Sequence, residues 1–264
     1  MGAGQIRFED GSAYERYMGK WSQVAGEAFL EWLAPPRGWR WLDVGCGNGA
    51  FTELLATRCA PAAVEGIDPS EAQLTYARTR RALLGVARFQ HGDAMSLPFA
   101  GDSFDAAVMP LVIFFVPRPA VGVAEMARVV RAGGLVAAYA WDVDGGGFPY
   151  EALHAEMRAS AMFVPREPSP EASRLEVMQE LWHGAGLLDV STRAITVQRT
   201  FVDFDDYWTT VLGAPSAAKA LAAMPAEQRA ELAGRLRERL PADPAGHITL
   251  SARANAVRGR VAPA

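Results

Sequence analysis

The sequence predicts an α/β fold built on a doubly wound, mostly parallel sheet of seven strands, within a single domain of residues 1–264. Three observations carry this prediction. Strand and helix patterns alternate between residues 40 and 141, which is typical of a parallel sheet. The segment Trp41–Phe51 reads as a strand, a glycine turn and the first turn of a helix. A chain of 264 residues can also bury a substantial core as one domain.

The glycine turn indicates a nucleotide-type site. Gly45, Gly47 and Gly49 remove side chains where the backbone must turn tightly and contact a ligand, and the helix that starts near Gly49 points free N–H groups at the same place. Asp43 lies just ahead of the glycines. Its carboxylate would repel a pyrophosphate but suits a cofactor that carries a cationic amino group and no phosphate, a description that S-adenosylmethionine meets. The turn therefore predicts methyl transfer.

The first strand is predicted from Arg40 to Val44. The helix after the glycine turn places Phe51, Leu54 and Leu55 on one buried face, and Pro61 ends it.

The second strand, Ala62 to Asp68, ends in a carboxylate about 20 residues past the glycine turn, where it can accept hydrogen bonds from both hydroxyls of a ribose. The alternative is that Asp68 caps the next helix. Because Ser70 and Gln73 already form a capping-box pattern, we expect Asp68 to be left for a ligand.

The third strand, Val86 to His91, leads into Gly92-Asp93-Ala94. The carboxylate of Asp93 and the backbone N–H of Ala94 would suit the amino group of adenine and its neighbouring ring nitrogen. A Gly-Asp pair is also an ordinary turn signal, so this prediction depends on its place at the third strand end.

The fourth strand is predicted from Phe104 to Met109, and the connection Pro110–Pro117 leads to a helix from Pro119 to Val130. We expect the pair Gly133-Gly134 to stop that helix. The fifth strand then spans Leu135 to Trp141.

The second half of the chain changes character. Residues 142–186 contain a glycine run, a helical pattern, a proline-broken stretch and a second helical pattern, which together indicate a cap insertion. Leu187 to Gln198 is predicted as the sixth strand, and the helical region within 201–246 as a second cap insertion. His247 to Val257 alternates well enough to be the last strand, antiparallel to its neighbours.

The motifs of the first half resemble the class I S-adenosylmethionine-dependent methyltransferases, over about residues 12–141. They stand in the order that the family uses: Leu42-Asp-Val-Gly-Cys-Gly-Asn-Gly, Gly66-Ile-Asp-Pro-Ser, Gly92-Asp-Ala-Met-Ser-Leu-Pro-Phe, Ser103-Phe-Asp, and Glu125-Met-Ala-Arg-Val-Val-Arg-Ala-Gly-Gly. The likeness is greatest to the small-molecule branch that includes the ubiquinone and menaquinone C-methyltransferases, and it fades beyond Trp141.

The resemblance implies a Rossmann-like methyltransferase fold with N-terminal lid helices in residues 1–38 and a cofactor-binding core in residues 39–141. Residues 13–33 carry aromatic side chains at roughly helical spacing, among them Tyr14, which can pack in the core and cover the cofactor at once. The resemblance assigns contacts with S-adenosylmethionine to Tyr17, Asp43, Gly45, Cys46, Gly47, Asp68, Pro69, Asp93, Ala94 and Pro110.

The connection after the fourth strand should border the methyl group, and here the chain departs from some relatives. Methyltransferases that act on exocyclic amines of nucleic-acid bases carry Asn or Asp followed by Pro-Pro-Tyr or a close variant, whereas this chain has Met109-Pro-Leu-Val. Methylation of amino groups on DNA bases is therefore disfavoured. Related sequences often read Asp-Pro where this one has Arg118-Pro119, which puts a role for an acid there in doubt.

In-line displacement at a sulfonium needs alignment and exclusion of water, and a general base only if the acceptor must lose a proton. Of the four histidines, His91, His183 and His247 lie at positions that favour structural roles. His154, on the first predicted cap helix, is the candidate base, and the alternative is an ordinary solvated histidine.

The cap regions contain enough aromatic and thioether surface to line an apolar pocket, although most of it is expected to be core. The residues are Phe148, Tyr150, Met157, Met162, Phe163, Trp182, Phe201, Phe204, Tyr207 and Trp208. We therefore expect a small, apolar or aromatic methyl acceptor.

Charge and composition indicate which classes of binding partner the chain is expected to lack. The net charge of −4 and the lack of dense Lys or Arg runs disfavour nucleic acid. No signal-peptide pattern or long apolar run indicates membrane insertion. With only two cysteines, the sequence predicts no disulfide framework, which fits a reducing cytoplasm. No clustered pattern of metal ligands is present in the sequence, so no metal site is predicted. The chain is predicted to be a monomer or homodimer.

Two rival functions stay open. Gly45-x-Gly47-x-x-Ala50 also satisfies the loose dinucleotide fingerprint of an NAD(P)-dependent oxidoreductase, against which stand Asp43 and the lack of a Tyr-x-x-x-Lys pair. The other rival is a protein that binds S-adenosylmethionine without catalysis.

Overall fold

A computed structural model describes residues 15–160, 162, 164, 166–213 and 218–263. Within these residues seven strands form one sheet in the order β3-β2-β1-β4-β5-β7-β6. The strands are β1 Arg40–Val44, β2 Ala63–Asp68, β3 Ala87–His91, β4 Phe104–Pro110, β5 Val130–Trp141, β6 Leu188–Phe201 and β7 Ile248–Arg260. The first five strands run parallel, and β7 lies antiparallel between β5 and β6. The predicted fold class is confirmed.

Helices cover both faces of this sheet. They are α1 Lys20–Leu33, α2 Ala50–Cys59, α3 Glu71–Ala77, α4 Pro119–Val129, α5 Glu151–Ala159, α6 Leu175–Gly184, α7 Phe204–Leu212, α8 Ala218–Ala223 and α9 Ala226–Arg239. Neighbouring residues of β7 face opposite sides. Arg258 donates to the backbone oxygen of Trp32 in α1, while Gly259 lies against Trp182 of α6, so these two helices occupy opposite faces.

The N-terminal segment of the predicted lid is described from Glu15 onward. Residues Glu15–Gly19 form a π-helical turn that runs directly into α1, and α1 packs against α2 and the β6–β7 strands. Residues 1–14 of the predicted lid, with Tyr14, lie outside the described residues.

Local patterns predicted the first elements well. β1 spans Arg40–Val44 as expected, and the buried face of α2 contains Phe51, Leu54 and Leu55. The side chain of Ser70 accepts a hydrogen bond from the Gln73 N–H and caps α3, as the capping-box pattern predicts.

The pair Gly133-Gly134 does not stop a helix, so that prediction was wrong. The helix α4 ends at Val129, and β5 already begins at Val130, which pairs with Phe104. The glycines lie inside β5 where its register with β4 shifts, and Gly133 has the positive φ of 70° that such an irregularity requires.

The second helix of the predicted first cap insertion, α6, packs on the sheet. α6 packs on β6 and β7, and the indole N–H of Trp182 donates to the backbone oxygen of Val136 in β5 at 2.9 Å. Since α6 is the crossover between the parallel strands β5 and β6, the insertion ends before Leu175 rather than at residue 186.

Candidate active site

The carboxyl ends of β3, β2, β1 and β4 lie side by side, because these neighbouring strands are parallel. This edge therefore brings together the segments that follow each strand, which carry the predicted cofactor contacts.

The glycine turn after β1 packs closely against the connection after β4. Gly45 has φ of 73°, and a Cβ atom on it would lie 2.5 Å from Cγ2 of Val112. Such a contact is impossible without displacing the connection, so Gly45 is required both for the backbone turn and for this approach. The N–H groups of Gly45 and Cys46 both donate to the Ile67 carbonyl, which ties the turn to β2.

Asp43 is fully buried at this turn and has one oxygen to spare. Its Oδ2 accepts a 2.6 Å hydrogen bond from Thr52 Oγ1, while Oδ1 has no hydrogen-bond partner among the described residues. Burial raises the pKa of Asp43 to about 7; the Thr52 hydrogen bond opposes this shift, and the charge of Asp68 adds to it. A buried carboxylate with an unpaired oxygen is a site for a cationic group.

Asp68 is less free than the capping-box argument predicted. Its Oδ2 accepts the Gly47 N–H at 3.0 Å, and its Oδ1 accepts the Ser70 N–H at 2.8 Å. Burial raises the pKa of Asp68, opposed by these two hydrogen bonds and by the charge of His91. Each carboxylate oxygen can accept a second hydrogen bond, so the side chain is oriented by the backbone and keeps capacity for hydroxyl donors.

The remaining predicted contacts differ in their exposure. Asp93 is exposed, and its Oδ1 accepts the Met95 N–H at 2.9 Å, so it forms the ordinary turn that was the alternative to an adenine contact. Ala94 is half-buried, Pro69 is exposed, and Pro110 is buried at the last position of β4.

Tyr17 packs against the cap in the described structure. Its ring stacks on Tyr150 with centroids 4.3 Å apart and planes 16° apart, and its backbone oxygen accepts the Tyr150 hydroxyl at 2.6 Å. The indole N–H of Trp21 also donates to the Tyr150 hydroxyl, at 3.2 Å. Tyr150 thus joins the lid segment to the first cap insertion.

A second attachment of the lid was not predicted. Glu15 Oε2 accepts hydrogen bonds from Asn48 in the glycine turn at 2.9 Å and from Arg80 Nη2 at 2.8 Å. Arg80 also donates to the backbone oxygen of Asn48 and pairs with Glu53. The predicted lid segment is therefore anchored to the glycine turn itself. No local pattern marks this cluster, since its members are far apart along the chain.

His154 is not the solvated histidine that was the alternative to a base. Its ring stacks on Phe148 with centroids 4.8 Å apart, and its Nε2 is buried without a hydrogen-bond partner in the described part of the chain. Burial, together with the charge of Arg158, lowers the pKa of His154 to about 4. The ring is therefore neutral near pH 7 and is a weak proton acceptor.

Most of the predicted cap aromatics are core. Tyr150, Phe201 and Tyr207 are fully buried, and Phe204 nearly so. Phe163 lies outside the described residues. Over the described residues, no helix is long and apolar enough to cross a bilayer, and no three His, Cys, Asp or Glu side chains are grouped to hold a metal ion.

Comparisons with known proteins agree with this geometry. Residues 42–138 match the family model described as a methyltransferase domain. A demethylmenaquinone methyltransferase of Staphylococcus aureus (strain JH9) is 39% identical over 101 residues, which are 38% of this chain and 42% of that protein. The chain thus spans less than half the length of the curated relatives that it matches.

Solved structures share the fold over most of the chain. A putative methyltransferase from Bacillus halodurans C-125 has a TM-score of 0.58 at 16% identity, covering 90% of this chain and 99% of that one. Phosphoethanolamine N-methyltransferase 2 of Haemonchus contortus, solved with S-adenosyl-L-methionine, has a TM-score of 0.58 at 18% identity, covering 96% and 56%. The resemblance to the class I methyltransferases is confirmed over residues 42–138, the segment that matches the methyltransferase domain model.

Proposed function

We propose that this protein transfers the methyl group of S-adenosylmethionine to a small acceptor molecule. The observation that carries the proposal is the unpaired, fully buried Oδ1 of Asp43 beside the glycine turn, within the segment that matches the methyltransferase family model. A protein can keep such an oxygen buried at low cost only if a donor or a cation meets it in the functional state.

The residues present fit this cofactor. Asp43 would receive its ammonium group, the oriented carboxylate of Asp68 its ribose hydroxyls, and Asp93 with the Ala94 N–H its adenine. The remaining proposed contacts surround these three: Tyr17, Gly45, Cys46, Gly47, Pro69 and Pro110. For Asp93 this requires the side chain to accept from adenine in addition to the Met95 N–H that it already holds.

When bound, the cofactor supplies an electrophilic methyl group on a sulfonium. The chain's own contribution is to hold the two reactants in line and to exclude water, which the lid and the cap do by packing on each other around Tyr150. His154 stays the candidate base, but its neutral ring and lowered pKa suit only an acceptor whose proton is already lost or leaves easily.

The acceptor is proposed to be small and aromatic or largely apolar. Support comes from the rings that pack around Tyr150: those of Tyr17 and Trp21 in the lid segment, Phe148 in the first insertion and Tyr207 in the second. Both cysteines of the chain are free and buried, which suits the reducing cytoplasm that the sequence predicts.

Isothermal titration with S-adenosylhomocysteine and with NADH separates this proposal from an oxidoreductase. We expect binding of the first and none of the second, since Asp43 would repel a pyrophosphate. Incubation with S-adenosylmethionine labelled in its methyl group and a metabolite extract then tests catalysis. Binding without transfer of label to any compound would indicate a non-catalytic binding protein, and uptake of NADH alone would refute the proposal.

A further inference from the structure

An arginine interrupts the buried face of β6. The side chains of Ile195, Val197, Arg199 and Phe201 alternate onto one face of the strand, and all except Arg199 are buried apolar groups. Arg199 itself is half-buried. Its guanidinium lies 4.3 Å from the centre of the Phe201 ring, and its Nη1 donates to the backbone oxygen of Tyr17 at 3.3 Å, so this face meets the lid.

Within the described part of the chain, no carboxylate neutralises this guanidinium. Arg199 donates to the Tyr17 backbone oxygen and, at 3.1 Å, to the Tyr150 hydroxyl, both of which are neutral. Its Nε is buried without a partner, and no ion pair within 4.0 Å joins it to a described acid. Burial raises the pKa of Tyr150 to about 12; the charge of Arg199 opposes this shift, and the charge of Asp206 adds to it. Asp206 is itself exposed and accepts a hydrogen bond from the Val202 N–H. A partly desolvated cation without a counter-ion is unfavourable, so we expect an anion to meet it in the functional state.

Two donors near Tyr150 and Trp21 also lack partners among the residues that the structure describes. The hydroxyl of Tyr207 is fully buried with no hydrogen-bond partner among the described residues, and its ring lies 6.2 Å from that of Tyr150. The indole N–H of Trp141, next to Trp21, is also unpaired in this part of the structure. Aromatic walls with unsatisfied donors and one cation suit a ligand that combines a ring with negatively charged oxygens.

We propose that Arg199 binds the carboxylate of the methyl acceptor, and that the acceptor is a small aromatic acid held between the lid and the cap. This inference rests on the proposed methyl transfer and names its substrate class. A guanidinium matches the two oxygens of a carboxylate with a fork of N–H donors. The Nε of Arg199 and the Tyr207 hydroxyl become available when the lid moves away from Tyr150, and the acid then satisfies them.

The test uses the full chain saturated with S-adenosylhomocysteine. Benzoate, 4-hydroxybenzoate, cinnamate and indole-3-acetate are titrated up to millimolar concentration, each beside its neutral methyl ester, with melting temperature and calorimetry as readouts. We expect at least one acid to bind and its ester not to bind. Arg199→Gln should weaken that acid by about tenfold or more, because a charge-assisted hydrogen bond is lost, while Arg199→Lys should retain part of the affinity.

A control variant separates anion binding from a purely structural link between β6 and the helices on this face, and it should keep the acid affinity of the wild type. Arg258→Gln is the matched control, because Arg258 also lies over an aromatic ring on this face and donates to a backbone oxygen of α1. Affinity for S-adenosylhomocysteine should stay within a few fold of wild type in Arg199→Gln.

Equal binding of acid and ester, undiminished acid binding by Arg199→Gln, or no binding of any acid would overturn the inference. Failure of the wild type to bind S-adenosylhomocysteine would instead refute the proposed function, so the two failures are distinguishable.

Discussion

Replacing Asp43 by Asn should stabilise the cofactor-free protein and at the same time weaken cofactor binding. The pKa of Asp43 rises from 3.8 to about 7 on folding, chiefly through burial. Because the pKa of Asp43 is higher in the folded than in the unfolded protein, its contribution to stability is fully present below pH 3.8. That contribution is lost as the pH rises through about 7. Asn has no such loss and can still accept the Thr52 hydroxyl.

The magnitude follows from the shift. About three pH units at about 1.4 kcal/mol each correspond to about 4 kcal/mol, as an upper bound, for keeping Asp43 ionised in the cofactor-free protein. Between pH 5 and 7 the wild type should therefore lose about 2 kcal/mol relative to Asp43→Asn, which is several degrees in melting temperature for a chain of this size.

Bound cofactor makes the ionised form of Asp43 favourable, because the ammonium group of the cofactor stabilises the carboxylate. The ionised fraction of a group with a pKa of about 7 rises about eightfold between pH 6 and pH 7.5, and the affinity for S-adenosylhomocysteine should rise with it. Asp43→Asn should lose this pH dependence and bind about 100-fold more weakly, which equals about 3 kcal/mol for a buried charge left unpaired.

The assay is differential scanning fluorimetry from pH 5 to 8 without ligand, followed by calorimetric titration with S-adenosylhomocysteine at pH 6, 7 and 7.5. Thr52→Ser is the matched control, since it keeps the hydroxyl that Asp43 accepts and should behave as wild type. An Asn variant that binds the cofactor as tightly as wild type, or that gains no stability at pH 8, would refute the role assigned to Asp43.

Three further predictions concern the turn, the lid and the cap. Gly45→Ala should destabilise the protein by more than about 1 kcal/mol in thermal unfolding and abolish cofactor binding. Gly38→Ala is the control: Gly38 has a similar φ of 78° but open space around it, so this variant should show only the cost of backbone strain. Glu15→Gln should speed dissociation of S-adenosylhomocysteine a few fold in stopped flow by loosening the lid from Arg80; an unchanged rate would contradict the anchoring role. His154→Gln should lower the methyl transfer rate by less than about tenfold, and the wild-type rate should show no inflection near pH 6.5, because the pKa of His154 is lowered to about 4; a clear inflection there would contradict this.

Features that depend on neighbours in sequence were predictable. The strand, glycine turn and helix around Gly45 and the Ser70 cap involve residues at most a few positions apart, so propensity and spacing determine them. The order of the parallel strands followed from the alternation of elements, and it places Asp43 and Asp68 at one edge.

Features that depend on tertiary packing were not. The helix that contains Trp182 has the same amphipathic pattern whether it packs on a cap or on the sheet, and only its contact with Val136 decides between them. The attachment of Glu15 to Asn48 and Arg80 joins residues 33 and 65 positions apart, and each of the three would read as an ordinary surface residue on its own.

The acceptor class shows how such placement changes a conclusion drawn from composition. The abundance of aromatic residues in the insertions predicted an apolar acceptor, yet the ring of Phe201 and the hydroxyl of Tyr150 contact Arg199, which has no counter-ion among the described residues. A neutral ligand in that place would leave the partly desolvated guanidinium without a counter-ion, which its ring contacts would have to offset. An aromatic acid makes the same ring contacts and also neutralises the charge. In a buried site it would further be attracted by a sulfonium nearby, since charges interact more strongly where water is excluded. In the proposed site the rings would therefore select the aromatic frame of the acceptor, and Arg199 would select its negative charge.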